Sequence, residues 1–131
     1  AIAVPAAAGI PVTHRGLSRG FSVITAHADL GVLPQRRDHT LILLMGVSRL
    51  RDSVASLLEA GSDPATPAAI IERGYHPDQR VTTTELRCLA DVAARYRVTA
   101  PAVIVIGDVV TLSPYWADRV VEEVRPASPA A

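Results

Sequence analysis

Two short runs are apolar at almost every position: residues 40–45 (TLILLM) and 102–110 (AVIVIGDVV). They restrict the fold more than any other feature of the chain. Each is far too short to cross a membrane, and the β-branched residues with nearby Gly and Pro mark them as strands. A strand that is apolar throughout, and not only at every second residue, is covered on both faces. The sheet must therefore carry a layer on each side. Residues 21–27 (FSVITAH) and 68–72 (AAIIE) show the same strand signals, and residues 79–83 (QRVTT), which alternate in polarity, add a fifth.

Two other segments have helical spacing. In residues 49–60, Leu50, Val54, Leu57 and Leu58 fall on one stripe, with Ser48 placed to cap the start and Gly61 to end it. In residues 85–96, Leu86, Leu89, Ala90, Ala93 and Tyr96 repeat the pattern, and a threonine among 82–84 is the expected cap. Helices alternating with strands predict an α/β layered domain. Residues 28–39 read as a polar connection in which Arg36, Arg37 and Asp38 are solvated. Ser113-Pro114 is a helix-start signal, followed by Trp116, Val120 and Val124 at intervals of four. The opening residues 1–8 (AIAVPAAA) read as the end of a helix or turn interrupted by Pro5.

The 131 residues are 49% hydrophobic, enough for one compact domain. Thirteen basic residues balance thirteen acidic ones, so no overall field draws the chain to nucleic acid or to an acidic membrane. All thirteen are arginines. Base composition explains this, and so does a preference for planar, bidentate carboxylate binders. A single cysteine, Cys88, excludes an internal disulfide and a Cys-rich metal site. The alanine-rich beginning lacks a basic leader and a long apolar core, and a cytoplasmic location is expected. Because the chain opens directly into apolar sequence, a fragment of a longer protein is expected as well.

The most specific stretch is residues 9–16 (GIPVTHRG). Pro11 enforces an extended entry, and Thr13, His14 and Arg15 present three polar groups in succession. A surface loop accounts for this as readily as a binding element does. His27, His39 and His76 stand at no short ligand spacing from it, so no metal site is implied. Met45-Gly46 closes an apolar strand, where Met45 fills a core or meets a ligand. Gly74 closes another, as a turn glycine of positive φ or as a point of close approach. Residues 75–78 (YHPD) read as a structural turn.

Residues 3–27 (AVPAAAGIPVTHRGLSRGFSVITAH) resemble the segment joining the two lobes of uroporphyrinogen-III C-methyltransferases, members of the tetrapyrrole methylase family. The resemblance continues in register through TLILLMG (40–46), PAAIIERG (67–74), Gln79-Arg80-Val81 and PAVIVIGDVV (101–110). Thr25-Ala26-His27 departs from the family's Thr-Gly-His at one small residue. The resemblance implies a mixed, roughly five-stranded sheet with flanking helices, the C-terminal lobe of a tetrapyrrole methylase. It implies an inter-lobe segment at residues 1–20, the lobe at 21–112, and a short helix and tail at 113–131.

It also implies S-adenosyl-L-methionine as the methyl donor, with Met45, Gly74 and Ala102 against it. Arg15 would meet a carboxylate of the tetrapyrrole substrate, and an inter-lobe ion pair or a solvated arginine explains that residue equally well. Arg19 and Arg80 are further candidates. The implied reaction adds two methyl groups to uroporphyrinogen III, giving precorrin-2 for sirohaem and cobalamin synthesis. No catalytic residue is assigned, because the family's Gly-rich loop and the acidic and basic residues of its first lobe have no counterpart here. The chain alone should fold without turning over, its partners being that missing N-terminal lobe and a second copy in a homodimer. Two rival readings are another, corrin-pathway methylase and a non-catalytic cofactor-binding or dimerisation module.

Overall fold

The computed structural model describes residues 3–25, 29–44 and 47–121. Helix α1 (Ala3–Ala7) precedes strand β1 (Gly20–Thr25) and strand β2 (His39–Leu44), and α2 (Leu50–Glu59) leads to β3 (Pro67–Glu72). Strand β4 (Arg80–Glu85), helix α3 (Leu89–Arg95) and β5 (Ala102–Ile106) follow. The five strands form one sheet in the order β1-β2-β5-β3-β4. β1 and β2 are parallel, whereas β5 runs antiparallel to both β2 and β3, and β4 antiparallel to β3. The sheet is thus mixed and five-stranded, as the resemblance implies, within the α/β layered domain that the strand and helix patterns predict.

Alternation along the central strands fills two cores. Leu41, Leu43, Ile104, Ile106, Ala68 and Ile70 face one side, where Leu50, Val54 and Leu57 of α2 and Leu89 and Ala93 of α3 cover them. Val105, Ala69 and Ile71 face the other side, beneath Ala8, Ile10, Val109 and Val110. Every residue of β3 is buried for that reason. Each fully buried Ile or Leu here contributes about 1.5–3 kcal/mol.

Several boundaries differ from expectation. The last strand stops at Ile106, not at 110: Gly107 adopts φ 151, and Asp108–Leu112 continues as a 3-10 helix. A Cβ at Gly107 would lie 3.3 Å from the Thr40 Cα, so the chain turns where glycine alone is comfortable. Ser48 does not cap α2, since a 3-10 turn over Val47–Arg49 precedes the helix and no side chain caps it. Gly61 does end it, at φ 101, with its N–H on the Leu58 carbonyl. Thr82, Thr83 and Thr84 lie buried inside β4 and cap nothing; α3 is entered through a 3-10 turn over Leu86–Cys88. The helix expected from Ser113 is a 3-10 helix, Pro114–Asp118, with Ser113 accepting from the Tyr115 N–H. It goes no further because the Val120 N–H pairs with the Thr83 carbonyl on the outer edge of β4. Val124 lies outside the described residues.

Arg37 is the clearest correction to the polar connection. Its Nε donates to Asp108 at 2.8 Å and its Nη1 to Asp63 at 3.0 Å, joining the β1–β2 connection to the segments after α2 and β5. The Asp108 hydrogen bond raises its pKa. The Asp63 carboxyl is held below its ordinary range, first by the Ala65 N–H and then by Arg37. A depressed carboxylate stabilises the fold above its unfolded pKa and loses that contribution as pH falls through the folded value. Arg37→Ala is therefore expected to cost about 1 kcal/mol at neutral pH. In denaturant titrations the deficit should shrink below about pH 4, as Asp63 protonates.

Candidate functional site

Strands β1, β2 and β3 all end at one edge of the sheet, and β4 and β5 begin there. Across that edge Leu44 pairs with Val103, and Glu72 with both Ala102 and Arg80. Ligands of open α/β sheets bind at the carboxyl ends of strands. Gly74 lies two residues beyond the end of β3 and Ala102 is the first residue of β5, so the structure brings these two together. Met45 and Gly46 lie outside the described residues.

The edge is held by a buried carboxylate. Glu72 is 1% exposed, and its Oε1 accepts from Arg80 Nε at 2.6 Å. Its other oxygen accepts from the Thr99 N–H at 3.3 Å and lies 3.6 Å from Arg73 Nη1. Arg80 also donates to the Tyr96 carbonyl. Its guanidinium is held above its ordinary pKa chiefly by the bond to Glu72. Arg80 thus serves the sheet edge. A buried charge needs such a partner, because desolvation otherwise drives it to neutralise.

From Glu72 the chain turns sharply. Arg73 and Tyr75 both adopt left-handed backbone, at φ 50 and 66, while Gly74 between them does not. Gly74 is therefore not the residue that supplies the positive φ. Its glycine is required for space: a Cβ there would meet Val4 Cγ1 of α1 at 2.8 Å. Arg73 is tied to Asp78 by an ion pair of 2.7 Å and to the Thr99 hydroxyl at 3.4 Å. Val4, Ile71, Gly74, His76, Ala102 and Val103 enclose a groove of about 190 Å³. That is smaller than a complete small-molecule site, which occupies about 300–1,000 Å³. The groove is one apolar wall with main chain exposed at Gly74. Tyr75-His76-Pro77-Asp78 is the turn it was read as, and His76 also reaches the groove. Nothing in the spacing of Val4 or His76 marks them in sequence, because their place depends on α1 folding back over the end of β3.

The stretch 9–16 has a divided role. Gly9 takes φ 74 against Pro114, and Ile10 is 1% exposed in the core, so the first residues bind the segment to the sheet. The Leu17 N–H donates to the His14 carbonyl, making an exposed turn that carries Arg15, and Ser18 then bonds to Thr40 and the Val12 carbonyl. That turn leads into Gly20, at the beginning of β1. Arg15 consequently sits at the opposite edge of the sheet from Gly74 and Ala102. Arg19 is at the same far edge, with Asp38 at 3.7 Å. Among the described residues no three His, Cys, Asp or Glu side chains gather as a metal site. Nor is any described helix long and apolar enough to cross a membrane.

The family model for tetrapyrrole (corrin/porphyrin) methylases matches residues 1–90. This chain belongs to that family. A relative from Methanosarcina barkeri, an S-adenosyl-L-methionine-dependent uroporphyrinogen III methyltransferase, is 43% identical over 124 residues, covering 86% of this chain and 47% of its own. The crystal structure of the uroporphyrin-III C-methyltransferase of Thermus thermophilus superposes with a TM-score of 0.71 at 36% identity, covering 87% of this chain and 51% of that one. The same Thermus enzyme complexed with S-adenosyl homocysteine matches at a TM-score of 0.65 and 35% identity, over 79% of this chain and 46% of that one. The chain spans about half the length of these relatives.

Proposed function

We propose that this chain is the C-terminal lobe of a uroporphyrinogen-III C-methyltransferase and that its β3–β5 edge holds S-adenosylmethionine. The observation that carries the reading is the meeting of Gly74 and Ala102 in one apolar groove with exposed main chain. They are separated by 28 positions in sequence (102 − 74) and were expected at the cofactor from the resemblance alone. Met45, outside the described residues, is the third residue the resemblance assigns to the cofactor, and its thioether suits packing on an adenosyl group.

When bound, S-adenosylmethionine supplies an electrophilic methyl group to the electron-rich pyrrole carbons of the substrate. This chain's part is to bind and orient the adenosyl portion and to exclude water from one side of the cleft. The acid and base groups belong to the N-terminal lobe in this reading, so the lobe alone binds poorly and does not turn over. Arg15 faces a substrate carboxylate in the same reading, reached at the far edge of the sheet. Arg15→Ala should raise KM for the tetrapyrrole several-fold, by about 1 kcal/mol of lost charged hydrogen bonding, at unchanged KM for S-adenosylmethionine. A cytoplasmic homodimer is the setting we infer for the complete enzyme. The test of the activity is the product mass from uroporphyrinogen III and S-adenosylmethionine with the complete protein. Gain of two methyl groups is expected, and an unmodified tetrapyrrole would overturn the reading.

A further inference from the structure

One side chain joins the Gly74 turn to α1. Gln79 Oε1 accepts from the Tyr75 N–H at 2.7 Å, and its Nε2 donates to the Ala7 carbonyl at 3.3 Å. The partners settle which way the amide points, since a backbone N–H only donates and a carbonyl only accepts. Both partners bear on Gly74. Tyr75 follows it and is left-handed at φ 66, a conformation that persists in a bulky residue only where its surroundings hold it. Ala7 is the last residue of α1; the Pro5 and Ala6 carbonyls accept from Ala8, Gly9 and Ile10, and the Ala7 carbonyl accepts from Gln79. The same helix carries Val4, which closes on Gly74 from the other side. Arg73 is braced separately, through Asp78 and Thr99.

We propose that Gln79 is a positioning residue for the cofactor groove. By tying the Tyr75 amide to the end of α1, it fixes the Gly74 main chain against Val4 and so sets the width of the groove without touching the ligand. The inference rests on the reading of that groove as the S-adenosylmethionine site. Gln79→Met keeps the volume and loses both hydrogen bonds. Gln79→Glu keeps an acceptor for Tyr75 and replaces the donor to Ala7 with a carboxylate oxygen that the Ala7 carbonyl repels.

Calorimetric titration of S-adenosylhomocysteine into the complete protein and both variants tests it, together with steady-state kinetics. Gln79→Met should bind about tenfold more weakly, the value of two modest hydrogen bonds. KM for S-adenosylmethionine should rise in parallel, with kcat at saturation little changed. Gln79→Glu should lose at least about threefold, and it carries the test if Gln79→Met does not fold. A role in stability alone would lower the melting temperature and leave the affinity of the folded protein unchanged. Variants that bind within error of the unsubstituted protein would overturn the role of Gln79. Absence of binding by the unsubstituted protein would instead overturn the reading of the groove.

Discussion

Gly74→Val is expected to weaken S-adenosylhomocysteine binding by about a hundredfold, close to 2.7 kcal/mol. The physical reason is twofold. The new side chain would fill the place where main chain is exposed to the groove. It would also collide with α1, because even a Cβ at Gly74 would lie 2.8 Å from Val4 Cγ1. Overpacking of this kind costs about 1–3 kcal/mol of stability, so the substitution is not silent in the fold. The two effects can be separated. Pairing Gly74→Val with Val4→Ala should return most of the stability, measured by denaturant unfolding, and none of the affinity. Recovery of both would show that Gly74 serves α1 packing and not a ligand.

The second large effect concerns stability. Arg80→Ala leaves Glu72, 1% exposed, without its closest partner. The Thr99 N–H at 3.3 Å and Arg73 at 3.6 Å remain, and neither replaces a 2.6 Å ion pair. Breaking one side of a buried pair costs about 3–5 kcal/mol. The lower end is expected here, because Arg80 is 40% exposed and water can enter. Glu72→Gln keeps an acceptor for Arg80 but turns its amide NH2 toward the Thr99 N–H and Arg73, and should cost about 1–3 kcal/mol. The double variant Glu72→Gln with Arg80→Ala should be more stable than the sum of the two losses, since it carries no stranded charge. Additive losses would mean that the pair is not coupled.

The sheet was legible because its strands are apolar enough to need cover on both faces. Residues 40–45 and 102–110 could only be strands with layers on each side, and β2 and β5 lie next to each other in the sheet. The overreach at 107–110 has a local cause, Gly107, whose backbone turn looks from sequence like a continuation of an apolar run. The capping assignments failed for a related reason. Ser48 and the threonines of β4 have capping chemistry, but 3-10 turns over Val47–Arg49 and Leu86–Cys88 displace the helix starts from them.

The site was legible only in part. Gly74 stands out because strand ends are where such sheets bind ligands, whereas Ala102, at a strand start, is marked by the resemblance alone. The reason for Gly74 was not legible, since its contact is with Val4, seventy positions earlier (74 − 4), in a helix of five residues. Gln79 and Arg80 read as the start of an alternating strand. Their contacts with Ala7 and Glu72 exist only once β3, β4 and α1 share an edge. The far-edge position of Arg15 was equally invisible, because within residues 9–19 only Ile10 and Ser18 are buried, and the exposed turn between them shows no periodicity.

The central claim is that the β3–β5 edge is the cofactor wall of a methyltransferase cleft. The measurement that meets it most directly is a structure of the complete protein with S-adenosylhomocysteine bound. The adenosyl group is expected in van der Waals contact with the Gly74 main chain and Ala102. A ligand bound elsewhere, with the groove at Gly74 left open, would contradict the claim.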